Sequence, residues 1–189
     1  ILALVDALGH TPQDVRHILI THADLDHVGS LKPLVKVTGA QVYASAMTRT
    51  YIQKRRSPPH LGCPMNIPAA LLGFFMHRAV EVDQVVADED VLDIAGGVRV
   101  VATPGHTPDH VSFFWARERV LFAGDLFRNT EGLALTPERI THDLAAARQS
   151  VQRVLALEPA VICPGHGQVW AAADAPEQLE TLRAALPGD

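Results

Sequence analysis

The feature that most constrains this chain is a short β-rich run that ends in a dense cluster of polar side chains. Residues 15–21 are apolar and β-branched, with turn or cap signals on both sides, so they predict a strand. The next six positions contain two histidines and two aspartates, namely His22, Asp24, Asp26 and His27. Imidazole and carboxylate groups are the usual protein ligands of zinc, iron and manganese. The segment therefore predicts a strand that leads into a loop of candidate metal ligands.

Three later segments repeat this combination of an apolar run and a potential ligand. His106 follows the run 98–102, Asp125 follows 120–123, and His166 follows 160–163, each beside a glycine that permits a sharp turn. We expect each side chain to lie just beyond the end of its strand, where strand ends at one sheet edge converge. A lone histidine is more often a packed or surface residue, but four such clusters in order favour a metal centre.

The remaining chain predicts helices interleaved with strands, which indicates one layered α/β domain over residues 1–189. Helices are predicted over 1–8, 31–37, 45–53 and 176–186, with one turn at 11–14 and a long helix from Thr136 to about residue 155. Further strands are predicted over 41–44, 79–86, 91–94, 98–102, 111–115, 120–123 and 160–163.

Residues 54–76 predict an insertion beside a pocket. The segment begins with a short basic run and is rich in proline, and its end, 69–76, is apolar nearly all round. The basic run is either an attractive surface for an anionic substrate or simply a solvated face. The apolar end is either a wall for an apolar part of the substrate, ordinary core, or part of a homodimer interface.

Composition excludes several classes of protein. The net charge of −5 implies no general affinity for nucleic acid or an anionic membrane. No run approaches 18 apolar residues, so no membrane span is expected. Cys63 and Cys163 are far apart and read as reduced thiols, which favours a cytoplasmic location. The first residue, Ile1, already lies in an expected helix, so we expect that upstream sequence is absent.

With these motifs in hand, the chain resembles the metallo-β-lactamase superfamily, in its glyoxalase II-like hydrolase branch. That family carries a first motif H-x-H-x-D-H, followed by a Gly-His, a Gly-Asp and a Gly-His, and the resemblance covers residues 15–167. It implies a four-layer αββα sandwich with the metals at one edge of the sheets. It also implies strands ahead of the first helix, in keeping with the expectation that upstream sequence is absent.

The resemblance further implies two divalent metal ions, with zinc expected first and iron or manganese as alternatives. His22, the residue at position 24 and His106 would hold the first ion. The second would be held by Asp26, His27 and His166, and Asp125 would bridge the two. A metal-bound hydroxide would then attack an ester, thioester, lactone or related bond of a small molecule, with Asp26 orienting the water.

The chain departs from the family at Asp24, where the family has its second histidine. An ionised Asp24 would cancel one more unit of the cations' charge, weaken the site as a Lewis acid, and move its preference towards iron or manganese. The alternative is that Asp24 only caps the loop through local backbone amides. His110 has two interpretations: it supports the site or contacts substrate, or it packs and hydrogen-bonds beneath the loop. His142 is expected at the surface.

Three other functions compete with hydrolysis. An iron-dependent oxidoreductase is one, since flavodiiron proteins resemble this pattern with a carboxylate at position 24 and persulfide dioxygenases share the fold. A partner-binding protein without catalysis is another, but retention of all the other ligand positions argues against it. Nuclease relatives also exist, and the acidic net charge disfavours that assignment.

Overall fold

The structure, a computed structural model, describes residues 1–59 and 79–184. The helices are α1 (Leu2–Ala7), α2 (Leu25–Val28), α3 (Leu31–Thr38), α4 (Ala46–Lys54), α5 (Leu144–Leu155) and α6 (Pro176–Ala184), with 3-10 turns at Pro12–Asp14 and Glu138–Ile140. The strands are β1 (His17–Leu19), β2 (Gln41–Ser45), β3 (Gln84–Val86), β4 (Val91–Leu92), β5 (Val98–Ala102), β6 (Val111–Trp115), β7 (Val120–Asn129), β8 (Leu133–Leu135), β9 (Val161–Gly167) and β10 (Trp170–Ala171).

The strands form two sheets. Strands β1, β2 and β3 make a parallel three-stranded sheet in that order. The second sheet has seven strands in the order β10-β9-β7-β6-β5-β4, with β8 paired to β7. Its β7–β9 pair is parallel and its other pairs are antiparallel, so this sheet is mixed.

Three apolar clusters define the layers. One cluster lies between the sheets, where Val86 of the small sheet packs with Val100 and Phe113 of the large sheet. A second joins the small sheet to α2, α3 and α4, and a third joins the large sheet to α5 and α6. The order is therefore helix, sheet, sheet, helix, which confirms the αββα sandwich. Each fully buried Val, Leu or Phe in these clusters contributes about 1.5–3 kcal/mol.

Several strand predictions were too short at the site. Asp125 lies inside β7, and His166 lies inside β9, so neither follows the end of its strand as we expected. The parallel β7–β9 ladder shifts register on both sides of Gly124, whose φ is +53°. A Gly-Asp pair that suggested a turn is thus a bulge that redirects the strand without ending it. Strands β8 and β10 were not predicted at all.

The long helix begins later than predicted. Thr136 and Pro137 lead only into a 3-10 turn, and α5 starts at Leu144 with Asp143 as its cap, whose Oδ1 accepts from the Ala146 amide at 3.0 Å. Before the helix, the amide of His142 donates to the carbonyl of His106 at 3.0 Å. Because this backbone is used to hold the His106 loop, it is not available for helical hydrogen bonds.

Other predicted helices and strands match closely, with ends shifted by a few residues, although the strand predicted over 79–86 is reduced to Gln84–Val86. His142 is exposed as expected, although it precedes the helix. Most of the predicted insertion, from residue 60 to 76, lies outside the described residues. Within the described part of the chain, none of the helices combines the length and apolar character that a bilayer crossing requires.

Candidate metal centre

The first ligand loop joins the two sheets at one end of the sandwich. It follows β1 of the small sheet, which ends at Leu19, and the carbonyl of Thr21 accepts a hydrogen bond from the Val111 amide of the large sheet at 2.9 Å. His22 follows at once, and the short helix α2 then presents Asp26 and His27. The candidate ligands therefore come from two facing sheets, and the expectation of a single sheet edge was wrong.

Three side chains form a buried group: His22, Asp24 and His106. Oδ2 of Asp24 lies 3.1 Å from Nε2 of His106 and 3.4 Å from Nε2 of His22. These residues are 0%, 7% and 3% exposed for His22, Asp24 and His106. The three ligand atoms fall within 4.8 Å of one another, which is close enough to share one cation.

Asp24 stands at the N-cap position of α2 but does not act as a side-chain cap. Its side chain makes no capping hydrogen bond to the helix, and its carboxylate turns to His22 and His106 instead. Asp24 therefore does not cap α2, and its role as a metal ligand stays a prediction.

A second, outer group consists of Asp26, His27 and His166. Oδ2 of Asp26 lies 3.2 Å from Nε2 of His166 and 3.8 Å from Nε2 of His27. The side chains of Asp26 and His166 are 59% and 51% exposed, whereas that of His27 is 17% exposed. The outer group thus faces solvent, and the buried group lies behind it.

Asp125 lies between the two groups. Its Oδ1 is 3.1 Å from Nε2 of His27, and its Oδ2 is 3.2 Å from Nε2 of His166 and 3.6 Å from Nε2 of His106. The ring centroids of His22 and His27 are 4.1 Å apart, so the two groups adjoin directly. All seven side chains predicted as ligands are thus brought into one cluster.

The chemistry of this cluster fits cations. Nε2 of His22 and Oδ1 of Asp125 are buried and make no hydrogen bond to any part of the chain that the structure describes. Nδ1 of His22 is already engaged by the Thr21 hydroxyl at 3.0 Å, so Nε2 is the nitrogen left to bind a metal. Buried polar atoms without partners are costly in a folded protein, and metal ligation removes that cost.

Burial and charge shift the pKa values in opposite directions across the cluster. Burial lowers the pKa of His22, so this imidazole is neutral and able to bind a metal. For His27, burial acts to lower the pKa, but the adjacent carboxylates, chiefly Asp125, outweigh it and raise the pKa. For Asp125, burial acts to raise the pKa, but the imidazoles of His27, His22 and His106 lower it to about 2.

His110 supports Asp125 from behind through a buried hydrogen-bond chain. The amide of Asp125 donates to Nε2 of His110 at 3.1 Å, so the proton of this ring is on Nδ1, which donates to Oγ1 of Thr103 at 2.8 Å. Thr103 can then donate to Oγ of Ser112 at 2.9 Å, and Ser112 to the carbonyl of Ala123 at 3.3 Å. His110 is 2% exposed, so it lies beneath the loop and away from any substrate.

Sequence reasoning missed the polar residues that hold the ligand loops. Thr103 and Ser112 complete the His110 chain, and the buried carboxylate of Asp109 accepts from the Ala23 amide at 3.0 Å. Thr103 and Ser112 looked like ordinary strand-end residues, and Asp109 had no feature beyond its place next to His110. Only the fold shows that they face the ligand loops.

A family model described as the metallo-beta-lactamase superfamily matches residues 2–166 of the chain. Among curated proteins, the chain is 25% identical over 170 residues to a probable metallo-hydrolase, YflN, of Bacillus subtilis, which covers 81% of this chain and 64% of that protein. It is 30% identical over 161 residues to a hydroxyacylglutathione hydrolase of Ectopseudomonas mendocina, which covers 83% of this chain and 48% of that enzyme. The chain therefore spans about half to two thirds of these relatives.

Solved structures give the same result. The BLEG-1 B3 metallo-beta-lactamase is similar with a TM-score of 0.71 and 25% identity, over 95% of this chain and 81% of that one. The protein TTHA1623 in a di-iron-bound form is similar with a TM-score of 0.64 and 28% identity, over 94% of this chain and 81% of that one. Both likenesses extend over nearly all of the chain.

Proposed function

The chain belongs to the metallo-β-lactamase superfamily, whose members are generally metal-dependent hydrolases, and we propose that it hydrolyses an ester, thioester, lactone or related bond of a small molecule. One observation carries this proposal: Asp125 lies between a buried and an outer group of candidate ligands and is within 3.6 Å of a histidine from each. A carboxylate in this position suits two divalent cations held side by side.

In this proposal the buried group would hold one cation and the outer group would hold the other, with Asp125 between them. Bound cations would supply Lewis-acid chemistry there, which makes a water molecule more acidic and neutralises the charge that develops on a carbonyl oxygen. Asp125 remains ionised across the physiological range because its pKa is lowered to about 2. The His110 chain fixes the backbone of Asp125 and so its distance from both groups.

Asp26 is the proposed catalytic carboxylate. Its side chain is 59% exposed, the largest exposure among the ion-paired members of the cluster, so it stands where water and substrate enter. Oδ2 of Asp26 is 3.2 Å from His166, which restrains its orientation. From this position the carboxylate orients the attacking water and accepts its proton.

The substrate class is proposed from the relatives and the charge of the chain. A relative named as a hydroxyacylglutathione hydrolase supports thioesters as the first class to test. The net charge of −5 supports a small-molecule substrate over nucleic acid. A cytoplasmic location and a homodimer are further proposals that rest on the sequence.

A second candidate function is iron-dependent redox chemistry. The buried group contains two histidines and one carboxylate, a ligand set typical of non-haem Fe(II) enzymes. One similar protein is known in a di-iron-bound form. Zinc is the first expectation for a hydrolase, and iron or manganese is the alternative that Asp24 favours.

Metal analysis combined with a substrate panel tests both functions. Protein purified without added metal is analysed for zinc, manganese and iron, and then assayed with chromogenic esters, thioesters and lactones. Zinc or manganese with turnover supports hydrolysis, whereas iron with visible absorption and oxygen consumption supports the redox candidate. His22→Ala should abolish activity and metal at the buried group, while His142→Ala, at an exposed histidine outside both groups, should retain both. Absence of turnover with every metal would reject the hydrolase proposal.

A further inference from the structure

Asp109 is a buried carboxylate outside both ligand groups. The residue is 3% exposed. Its Oδ2 accepts two hydrogen bonds, one from the amide of Ala23 at 3.0 Å and one from the hydroxyl of Thr48 at 2.8 Å. Hydrogen bonds to an ionised acceptor are about twice as strong as neutral ones, so Asp109 fixes both donors firmly.

The position of these donors links Asp109 to the buried group. Ala23 lies between His22 and Asp24, so its amide sets the path of the backbone that presents both side chains. Asp109 itself belongs to the loop between β5 and β6 that also carries His106. One carboxylate therefore ties together the two loops that supply all three members of the buried group.

A third element makes this tie rigid. The backbone carbonyl of Asp109 accepts from Oγ of Ser45 at 3.1 Å and lies 3.3 Å from Oγ1 of Thr48, whose proton goes to the shorter bond with Oδ2. Ser45 is the N-cap of α4 and accepts from the Thr48 amide at 3.1 Å. Asp109 is thus held at the first turn of a packed helix while it holds Ala23.

The charge of Asp109 requires an explanation that the fold alone does not supply. Within the described residues, Asp109 forms no ion pair with a lysine, arginine or histidine, and its Oδ1 has no hydrogen-bond partner. Burial of an unpaired carboxylate is costly, and a neutral acceptor would hold Ala23 without that cost. A cation bound at the adjacent buried group would compensate this charge.

From these contacts we propose that Asp109 is a positioning residue that sets the affinity of the buried group for its metal ion. This inference rests on the proposed function, because it requires that His22, Asp24 and His106 bind a cation. Asp109 acts through the Ala23 amide and through its negative charge, and it does not touch the metal. Outer partners of metal ligands typically change metal affinity by about 10- to 100-fold when they are mutated.

The test isolates the buried group by disabling the outer one. In a His166→Ala background, the full chain is titrated with zinc in competition with a chromogenic chelator. Asp109→Asn, which keeps the shape of the side chain and removes its charge, should raise the zinc dissociation constant by about 10- to 100-fold. Asp83→Asn is the matched control, because Oδ2 of Asp83 also accepts from a backbone amide of the small sheet, that of Val42, at 2.8 Å. The control should leave the dissociation constant unchanged.

A second variant keeps the test decisive if Asp109→Asn folds poorly. Thr48→Val retains the carboxylate and its charge but removes one donor that orients it, so zinc should bind more weakly but by a smaller factor. Unchanged zinc affinity in either folded variant overturns the proposal. Equal weakening of the outer group, measured in a His22→Ala background, would show a general structural role and also overturn it. If the unmodified chain binds no metal at all, the proposed function itself is rejected. That result differs from unchanged zinc affinity in the variants, which rejects only the role of Asp109.

Discussion

A Cβ atom on Gly165 would lie 2.0 Å from Oδ1 of Asp125 and 2.9 Å from Cε1 of His27. Separations below 3.0 Å are essentially never seen for real Cβ atoms. The space that Asp125 occupies between the two groups thus exists only because residue 165 lacks a side chain. The glycine beside His166 therefore makes room for a neighbouring ligand.

Gly165→Ala should displace Asp125 and reduce metal binding. The added methyl group pushes the carboxylate away from its position between the groups, so we expect metal content to fall from the two ions proposed above to one or none, with loss of the proposed turnover. Elemental analysis and the substrate panel measure both. Gly39→Ala is the control, since a Cβ there would meet nothing within 4 Å; its φ of +70° predicts a stability cost of about 1 kcal/mol with metal content unchanged. Two bound ions in Gly165→Ala would contradict the steric argument.

Replacement of Asp24 should change metal affinity in a direction that depends on the new side chain. Asp24→His restores a nitrogen ligand beside His22 and His106 and should tighten zinc at the buried group. Asp24→Asn keeps the size of the side chain but removes the anionic ligand, so it should raise the zinc dissociation constant. Chelator competition in the His166→Ala background measures both constants. If neither substitution alters the constant, Asp24 is not a ligand.

His110 predicts how the stability of the metal-free protein depends on pH. Burial lowers the pKa of His110 well below its usual value of 6.5, so the folded chain keeps this ring neutral while the unfolded chain protonates it. The stabilisation by neutral His110 is complete above about pH 6.5 and is lost as the pH falls below it, at up to about 1.4 kcal/mol per pH unit.

The comparison variant is His110→Gln. The glutamine side chain does not titrate, and its amide oxygen can still accept the hydrogen bond from the Asp125 amide. Urea unfolding from pH 8 to pH 5 should show that the difference in unfolding free energy between wild type and variant narrows as the pH falls. Other histidines are common to both chains and cancel in this difference. A difference that is constant with pH would show that His110 titrates normally in the folded chain.

Much of the site follows from the sequence because each ligand stands beside a strand with a strong pattern. Strands β5 and β6 have the predicted bounds, and all seven candidate ligands converge. The sequence did not show from which sheet each ligand loop comes, because an alternating pattern of apolar residues cannot show which sheet a strand joins. That β1 and β7 belong to facing sheets depends on long-range packing alone.

Errors in the sequence reading came from local signals that tertiary contacts override. Thr136 and Pro137 are typical of a helix start. The helix begins only at Leu144, because the backbone amides just before it donate to carbonyls of the His106 loop. Gly124 suggested a turn, but pairing with β9 carries the strand through it as a bulge. In both places the competing backbone partner lies far along the chain, so no local pattern reveals it.

Trp170 provides a prediction about the fold that is independent of the metal centre. It lies in the unpredicted strand β10, is 2% exposed, and packs in the core cluster with residues of α5 and α6, while its Nε1 donates to the Ala175 carbonyl at 3.0 Å. Trp170→Ala should lower the free energy of unfolding by about 3–5 kcal/mol, because a large cavity and an unpaired carbonyl remain. Trp170→Phe retains most of the volume and should cost less. Urea unfolding measures both, and the zinc dissociation constant of the folded Phe variant should equal that of wild type; a weakened constant would show that β10 contributes to the position of His166 through β9.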